Sequence, residues 1–571
     1  MALSKSSQMC INALVVIGLA VGFAMHCGMQ VGISNHAQYL LHGMHAADNN
    51  FLANDWFTTQ TPEHHGLFGW LVCSLQNTGI LNIALGLLNG LASTAAALAI
   101  YFLAARFSPR PLIAYAAILA MFAFMPSDGP GHSNLLLPYF VPSVFAGVMV
   151  LIAFVLLIYG RTLASGIVAA VGCAAHANYL VLLGPVWVIY AALAALPRPK
   201  LTSERRARLL VAAHLLGPWV LAWVPHLDMF YRILIDPSPS AVAKDTFFRI
   251  YAPLHYAPST WPARQWTDYF LVIAAAGLAW TLIRRRVNAN ARRVAAAVAV
   301  VVACGAAAII LFGNDFANSV FPWRFAPYLT IAAYVCIGML VAAGPQRPLQ
   351  GLPAILAVIT LLALTEMDRR AIVLIASLTA LSLALWMIDS TPNLFPIRGG
   401  KLQRWIPSIA TWAVLFVIAL LGVRSGLWRQ DMFTRRVPQQ EAALYDWVRS
   451  STPEHATFAV PPDLFHFRLA TGRSVIIDFK CFPLTPTHQL EWKRRQDRQA
   501  GGSVADFPDA IQKYAEADSA RVESLTEEFG IRYFVIDRRR HRGQLDHLAT
   551  VFRNEQFEIF QTSPTAFSAA E

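Results

Sequence analysis

Apolar residues occur along this chain in long unbroken runs separated by short polar stretches. A helix of about 20 apolar residues crosses the hydrocarbon core of a bilayer, so this pattern predicts about 13 membrane-spanning helices. The segment from Gly66 to Leu75 is shorter and predicts an interfacial or partly buried helix. We place the spans at Met9–Met25, Thr78–Phe107, Pro111–Met125, Pro142–Tyr159, Leu163–Ala175, Tyr179–Leu196, Leu209–Val224, Asp268–Ile283, Val294–Phe312, Ala326–Ala343, Leu352–Leu364, Ala371–Met387 and Pro407–Val423.

The composition supports this interpretation and excludes other classes of protein. Only 14% of the 571 residues are charged, against about 25% in an ordinary soluble protein, and the mean hydropathy is +0.47. A soluble enzyme, a disordered chain and a fibrous protein are therefore excluded, as is an outer-membrane barrel, whose strands alternate in short segments. The seven cysteines show no paired spacing, which argues against a disulfide framework or a zinc site.

The distribution of positive charge predicts the topology. If Lys5 is cytoplasmic, strict alternation of the spans places most loop Lys and Arg residues on the cytoplasmic side, as the positive-inside rule expects. An odd number of spans then puts the C-terminal region in the periplasm of a bacterium. The net charge of +12 is explained by these loops and by the terminal region. No nucleic-acid-binding motif occurs, so we expect no nucleic-acid partner.

The chain divides into two predicted domains. Residues 1–423 form a polytopic membrane domain with a polar first outer loop (29–65) and a long outer loop (226–265). Residues 434–571 have a different character, since charged helices alternate with short β-type runs. This alternation predicts a periplasmic α/β domain. The runs are helical at Gln439–Ser450 and Ala505–Phe529, and β-type at Thr457–Pro461, Ser474–Phe479, Tyr533–Asp537 and Phe557–Phe560.

Candidate chemistry is concentrated in the first outer loop, where Asp48 and Asp55 are seven residues apart and would share one face of a continuous helix. No Lys or Arg lies nearby in sequence, so a carboxylate here requires water, a metal or a distant cation. Two structural alternatives remain open. Asp48 could form a helix cap or Asx-turn, and Asp55 could cap a short helix, with Trp56 as an interfacial anchor. His64 and His65 are candidate substrate ligands, and a divalent metal is an open alternative at the loop histidines.

Other outer loops supply candidate binding residues. Arg324 lies at the mouth of an apolar bundle, where a planar guanidinium suits the oxygens of a phosphate; an ion pair or snorkelling to headgroups is the structural alternative. His132 and His176 lie in outer turns. Lys244 and Arg249 lie in the long outer loop, which is interpreted as a lid over a membrane-facing cavity, or as a passive surface cover. The charges around Arg468, Arg473 and Asp478 are interpreted as a solvated face.

The arrangement resembles the GT-C superfamily of polytopic glycosyltransferases, which use polyprenyl-phosphate sugars. The likeness rests on about 13 spans, an outer C-terminal α/β domain, a long later outer loop, and the stretch from His45 to Trp56, which resembles the acidic first-loop motif of such proteins. The Trp-Trp-Asp signature of oligosaccharyltransferases and the tight acidic pair of protein mannosyltransferases are missing. P-loop and dinucleotide-binding motifs are absent as well.

The resemblance implies an inner-membrane enzyme with a polyprenyl-phosphate sugar donor. No cofactor is predicted from the sequence, with a divalent metal as the open alternative. It implies that Arg324, or Lys244 with Arg249, holds the phosphate. A first-loop aspartate would act as general base while the configuration at the sugar inverts. A transporter or flippase of lipid-linked or small solutes and a non-enzymatic envelope assembly protein remain alternatives. The identity of the sugar, the acceptor, the metal requirement and the oligomeric state are left open by the sequence.

Overall fold

The computed structural model describes residues 5–124, 129–195, 202–343 and 437–562. This part of the chain is mainly helical and contains one five-stranded sheet, as the fold class predicted from the sequence requires. Three predicted spans, Leu352–Leu364, Ala371–Met387 and Pro407–Val423, lie outside the described residues.

The first 18 helices of the described chain include all ten predicted apolar runs that fall within it. They are α1 (Lys5–Cys27), α2 (His36–Tyr39), α3 (Leu41–Ala47), α4 (Trp56–Gln60), α5 (Gly66–Asn77), α6 (Leu81–Phe107), α7 (Pro111–Phe124), α8 (Pro142–Ile158), α9 (Thr162–Ala175), α10 (Ala177–Ala195), α11 (Thr202–Leu221), α12 (Leu227–Ile235), α13 (Ser240–Asp245), α14 (Pro253–Tyr256), α15 (Ala263–Ile283), α16 (Ala289–Phe312), α17 (Asp315–Val320) and α18 (Ala326–Ala343).

Six segments of the described chain are helical, long and apolar enough to cross a membrane. Their ends follow local signals. In α16, for example, the Asn288 side chain accepts a hydrogen bond from the Ala291 amide at the start, and Gly313 ends the helix in the left-handed conformation. The six are Met9–Cys27, Leu81–Phe107, Ala177–Ala195, Leu209–Ile235, Ala289–Phe312 and Pro322–Ala342.

The chain folds into two compact units. We call the first the helical unit; it comprises residues 1–29, 87–224 and 258–432. We call the second the mixed unit; it comprises residues 30–86, 225–257 and 433–571. The first outer loop and most of the long outer loop thus belong with the C-terminal region. The domain division predicted from the sequence had assigned both loops to the membrane domain.

Small residues let helices of the helical unit approach closely. A Cβ atom added to Gly166 of α9 would lie 1.9 Å from the backbone oxygen of His214 in α11, and one on Gly338 of α18 would lie 2.6 Å from a side-chain carbon of Ile118 in α7. Backbone contact of this kind is the usual basis of helix packing in membranes, where burial from water contributes little.

The mixed unit is built on a sheet of strand order β2-β1-β3-β5-β4. Strand β1 is parallel to β2 and β3, and β5 is antiparallel to β3 and β4. The predicted helix Ala505–Phe529 is two helices, α22 and α23, and β4 was not predicted because its residues are largely exposed. The elements are α19 (Gln439–Ser451), β1 (Thr457–Ala459), α20 (Phe467–Thr471), β2 (Ser474–Val475), α21 (Pro486–Ala500), α22 (Phe507–Ala515), α23 (Ser519–Phe529), β3 (Tyr533–Asp537), β4 (Ala549–Arg553) and β5 (Phe557–Gln561).

Alternation along β3 divides the apolar residues of the mixed unit between two cores. Tyr533 and Val535 belong to one core, and Phe534 and Ile536 to the other, since successive side chains of a strand point to opposite faces. The second core also contains Leu41, Leu52, Trp56 and Phe57 from the first outer loop. Burial of these apolar side chains is the physical reason that the loop folds with the C-terminal region.

The long outer loop is helical and packs within the mixed unit. Tyr251 stacks on Phe482 with ring centroids 4.2 Å apart, and its hydroxyl donates to the Lys480 carbonyl at 3.2 Å. Asp236 accepts hydrogen bonds from the amide and the hydroxyl of Thr487, at 3.0 and 2.8 Å. The loop residues 225–257 are therefore an integral part of the mixed unit, held by aromatic and polar contacts.

Candidate functional site

Asp55 is the N-cap of α4 and is completely buried. Its Oδ1 accepts hydrogen bonds from the amide and the hydroxyl of Thr58, both at 3.1 Å. Its Oδ2 accepts from the Val475 amide at 3.1 Å. The helix-capping alternative considered for Asp55 is thus present in the structure, with both carboxylate oxygens occupied.

The cation that balances Asp55 is Arg468, which lies 413 residues further along the chain. The Arg468 Nε donates to Asp55 Oδ2 at 2.6 Å, and Arg468 Nη1 donates to Asp478 Oδ2. The amides of Lys480 and Cys481 donate to Asp478 Oδ1 at 2.8 and 2.7 Å. We call Asp55, Arg468 and Asp478 the buried triad.

The electrostatics of the buried triad favour the charged guanidinium. Burial disfavours that charge, but Asp55 and Asp478 outweigh burial, so the pKa of Arg468 is raised. The pKa of Asp478 is also raised, mainly by burial, although Arg468 opposes the rise. All three side chains are at most 2% exposed. All four carboxylate oxygens of the buried triad accept hydrogen bonds, whereas Arg468 Nη2 is buried without a partner among the described residues. Removing one partner of a buried ion pair is costly. The buried triad therefore fixes the first outer loop to the C-terminal segments.

Asp48 occupies a different environment, because it is exposed just after the end of α3. Its Oδ1 accepts a hydrogen bond from the Asn50 amide at 3.0 Å, which is the Asx-turn alternative. Trp56 is 5% exposed and lies beneath the Arg495 guanidinium, 4.7 Å from its ring centroid. The interpretation of Trp56 as an interfacial anchor is therefore wrong, because it is a core residue of the mixed unit.

The histidines of the first outer loop contact backbone carbonyls and aromatic rings. His42 Nε2 lies 3.1 Å from the Thr61 carbonyl oxygen, and His45 Nδ1 lies 2.8 Å from that of Phe51. His64 Nε2 lies 3.2 Å from Gln38 Nε2, and the His65 ring meets Tyr39 edge-on at 5.1 Å. Within the described ranges no group of three His, Cys, Asp or Glu side chains could hold a metal ion.

Burial favours the neutral forms of two loop histidines, His42 and His64. Burial lowers the pKa of His42 and lowers the pKa of His64 well below its ordinary value; the neighbouring His65 and His42 lower the pKa of His64 further. A neutral imidazole supplies one donor and one acceptor but no charge. His64 is therefore suited to hydrogen bonding with a neutral polar group.

Glu63 is a carboxylate that was not among the candidate residues predicted from the sequence. It is half-buried, with no hydrogen bond or ion pair to any described residue. Its carboxylate lies against Gly69, where an added Cβ would be 1.5 Å from Glu63 Oε1, so a larger residue at Gly69 would displace it. Burial raises the pKa of Glu63 to about 7, which suits a group that exchanges protons near neutrality.

The basic residues of the long outer loop are more exposed. Arg249 is 80% exposed and pairs with Asp245 one helical turn earlier, at 3.1 Å. Lys244 is half-buried in α13. An exposed pair of this kind contributes little to stability.

In the helical unit, Arg324 lies in a short 3₁₀ turn, Pro322–Phe325, that leads into α18. Its guanidinium carbon lies 5.0 Å from the centroid of the Phe321 ring. The Nε atom is buried and has no hydrogen-bond partner among the described residues. The alternative ion pair with Asp315 is not found within the described part of the helical unit.

Buried indole donors accompany Arg324. Trp323 is 2% exposed and Trp261 is 6% exposed, and their rings meet edge-on at 5.2 Å. Neither indole N–H has a hydrogen-bond partner in the ranges that the structure describes. His176 is buried against Tyr179 with ring centroids 5.5 Å apart, and His132 is exposed with a positive φ of 52°. The residues predicted to bind substrate thus divide between the units: Arg324, His132 and His176 lie in the helical unit, and the others lie in the mixed unit.

The interpretation of the charges around Arg468 as a solvated face is wrong. Arg468 is 0% exposed, Asp478 is 1% exposed and Arg473 is 8% exposed. Arg473 donates to the Thr452 carbonyl at 2.8 Å and to the Arg449 carbonyl at 3.2 Å. The sequence did contain a signal for Asp478, because it lies between apolar residues of the run Ser474–Phe479, which was predicted to be β-type.

The chain matches one protein family over part of its length and is similar to solved structures over nearly all of it. Residues 439–498 match a domain of unknown function, DUF6798, a range that includes Arg468 and Asp478. No curated relative matches the sequence. The chain is similar to the crystal structure of ArnT from Cupriavidus metallidurans bound to undecaprenyl phosphate, with 13% identity, a TM-score of 0.45, and coverage of 98% of this chain and 99% of that chain. It is also similar to ArnT from the same organism in the apo state, with 14% identity, a TM-score of 0.42, and coverage of 97% and 98%.

Proposed function

We propose that this protein is a membrane glycosyltransferase of the GT-C type. It transfers a sugar from a polyprenyl-phosphate donor to an envelope acceptor at the outer face of the inner membrane. The observation that carries the proposal is the buried Nε of Arg324, which has no partner among the described residues. A guanidinium donor left without an acceptor is costly, so an anion is the natural occupant of this position.

The surroundings of Arg324 favour the phosphate of a lipid. Trp261 and Trp323 provide two further unpaired N–H donors, and the aromatic rings beside them form an apolar surface. An anion with an attached hydrocarbon chain satisfies both features, whereas a free inorganic anion satisfies only the first. Undecaprenyl phosphate, which the ArnT crystal structure contains, is a lipid of this chemistry.

The proposed reaction requires a proton acceptor. An acceptor hydroxyl attacks the anomeric carbon, the bond between that carbon and the phosphate oxygen breaks, and the lipid phosphate leaves with the electron pair. The hydroxyl proton passes to a carboxylate, and the configuration at the sugar inverts. Positioning and charge neutralisation supply most of the rate enhancement for such a leaving group.

Three carboxylates of the first outer loop are candidates for the base. Asp55 has both oxygens occupied within the buried triad. Asp48 is exposed and has one oxygen bonded to the Asn50 amide. Glu63 has no partner among the described residues and a pKa raised by burial to about 7. Glu63 therefore fits the requirement best, and Asp48 and Asp55 remain part of the proposal as the bases predicted from the sequence.

The other predicted contacts complete the proposal. His64, whose pKa is lowered by burial, and His65 would hydrogen-bond hydroxyl groups of a substrate. His132 and His176 belong to the unit that contains Arg324, and Lys244 and Arg249 would serve as secondary cationic contacts.

Binding of undecaprenyl phosphate to the full-length protein in nanodiscs tests the proposal. Arg324→Gln is expected to weaken binding by about tenfold or more, since a charge-assisted hydrogen bond contributes about 1.5–3 kcal/mol. Arg285→Gln, which alters an exposed arginine of the same unit, is the matched control and should bind as wild type does. Equal binding by Arg324→Gln and wild type would contradict the proposal.

A further inference from the structure

The first turns of α15 contain several buried polar atoms that lack partners among the described residues. These are Gln265 Oε1, Asp268 Oδ1 and the Tyr269 hydroxyl, together with the Ser133 hydroxyl from a neighbouring segment. We call Ser133, Gln265, Asp268 and Tyr269 the α15 polar cluster. Native proteins leave few buried polar groups unpaired, so four in one region point to a missing occupant.

Contacts between elements of the helical unit bring the α15 polar cluster close to Arg324. Gln265 Nε2 donates to the Gly129 carbonyl at 3.2 Å. A Cβ added to Gly129 would lie 2.4 Å from Ser133 Oγ and 3.0 Å from the Cβ of Ala326. The segment that contains Ser133 therefore contacts both the start of α15 and the start of α18. Helix α18 begins two residues after Arg324.

Aromatic rings connect the same elements. The Trp266 ring of α15 packs edge-on against the Trp323 ring, with centroids 5.5 Å apart. Trp323 directly precedes Arg324 in the sequence. Trp266 is half-exposed and stacks on Phe270, with ring centroids 5.8 Å apart and an interplanar angle of 14°. An indole face therefore accompanies the unpaired polar atoms.

The unpaired atoms define the chemistry of the occupant. Asp268 Oδ1 and Gln265 Oε1 are acceptors, so their partner must donate hydrogen bonds. Asp268 Oδ2 is 3.5 Å from Arg264 Nε, a contact that leaves Oδ1 free of partners within the described ranges. The Tyr269 and Ser133 hydroxyls can both donate and accept. A ring that carries several hydroxyl groups satisfies all four residues, and its C–H face can lie on an indole.

We propose that the α15 polar cluster binds the sugar of the lipid-linked donor, with Asp268 and Gln265 accepting hydrogen bonds from sugar hydroxyls. This inference rests on the proposed function, in which Arg324 binds the phosphate of the same donor. The cluster then determines which glycosylated lipid is accepted, while Arg324 binds the glycosylated and the bare lipid phosphate alike.

Native mass spectrometry of the full-length protein, purified from its own membranes, tests the inference. Two adducts are compared, the glycosylated polyprenyl phosphate and the bare polyprenyl phosphate. Wild-type protein is expected to carry both. Asp268→Asn and Gln265→Leu are expected to reduce the ratio of glycosylated to bare adduct by about tenfold, the effect of one hydrogen bond between a ligand and a buried acceptor. Thr267→Ala, at an exposed position on the same helical turn, is the control and should keep the wild-type ratio.

The outcomes separate this inference from the proposed function. Wild-type protein without a glycosylated adduct would overturn the sugar site, as would Asp268→Asn and Gln265→Leu proteins that keep the wild-type ratio. Loss of both adducts in equal proportion in these variants would show a structural role and would also overturn it. Arg324→Gln is expected to lose both adducts; if it retains them while the α15 variants lose only the glycosylated lipid, the phosphate site fails and the sugar site stands.

Discussion

Two arginines, one in each unit of the molecule, differ in whether carboxylates balance their charge. In the mixed unit, Arg468 lies between two carboxylates whose four oxygens all have hydrogen-bond partners. In the helical unit, the buried Nε of Arg324 has no partner within the described part of the chain. Arg468 also has one buried nitrogen, Nη2, without a partner among the described residues, but two carboxylates balance its charge. The two arginines thus have different roles, because a guanidinium paired with carboxylates stabilises a fold and one without a counter-ion is available to a ligand.

The comparison also changes the interpretation of the first-loop acids. Asp48 and Asp55 were the candidate bases predicted from the sequence, where no cation lies near either of them. The structure shows that the cation of Asp55, Arg468, comes from the far end of the chain. The less prominent Glu63 is the first-loop acid without a partner among the described residues. Absence of a local partner in sequence therefore does not identify a reactive carboxylate.

Removal of the guanidinium from the buried triad is expected to have the largest effect. Arg468→Met leaves two buried carboxylates without a cation and should destabilise the mixed unit by about 3–5 kcal/mol. Limited proteolysis of the full-length protein should show rapid cleavage within residues 437–562. Arg498→Met, which alters an exposed arginine of the same unit, is the control. Equal resistance of the two variants would show that the triad is not structural.

Neutralising Asp55 is expected to have the next largest effect. Asp55→Asn keeps a side chain that can cap α4 but loses the charge opposite Arg468, and should cost about 1.5–3 kcal/mol of stability. Asp48→Asn, at an exposed turn, should change stability by about 0.5 kcal/mol or less. Thermal unfolding measures both, and sugar transfer is then measured per folded molecule. A stable but inactive Asp55→Asn protein would identify Asp55 as the base instead.

Titration of Glu63 is expected to have a smaller effect, visible as pH dependence. Burial raises the pKa of Glu63 from 4.5 in an unperturbed carboxyl to about 7 in the folded protein. The folded state therefore binds more protons than the unfolded state between these two pH values. The contribution of Glu63 to the free energy of unfolding is fully present below about pH 4.5 and is lost as the pH rises to about 7. Glu63→Gln should flatten this part of the profile of melting temperature against pH.

Glu527→Gln, at an exposed position, is the matched control for this profile and should retain the wild-type slope. Sugar transfer measured on Glu63→Gln at constant pH gives a second result. Full activity would show that Glu63 is not the base, whatever its effect on stability.

The smallest effect is expected at the surface of the mixed unit. Arg249→Gln breaks a pair with Asp245 in which Arg249 is 80% exposed, and such pairs contribute about 0–1 kcal/mol. We expect nearly unchanged stability and a loss of undecaprenyl phosphate binding well below the tenfold expected for Arg324→Gln, because Arg249 is only a secondary contact in the proposal. A loss of binding comparable to that of Arg324→Gln would place Arg249 at the phosphate and weaken the contrast between the two units.

The sequence alone determined the elements with strong local signals. All ten apolar runs within the described residues are helices, because length and hydropathy decide such helices without tertiary information. The strand Tyr533–Asp537 was predicted with the same bounds as observed. The Asx-turn at Asp48 and the cap at Asp55 were among the alternatives, since they depend on neighbouring residues only.

Only the tertiary structure decided which of these residues meet. The partnership of Asp55 with Arg468 spans 413 positions, and no periodicity or local spacing encodes a contact of that kind. The membership of the first outer loop in the mixed unit follows from burial of Trp56 and Phe57 in a core shared with strand β3. The unpaired atoms at Arg324 and Asp268 appear only after every available partner has been placed, because satisfaction of a polar group is a property of the whole fold.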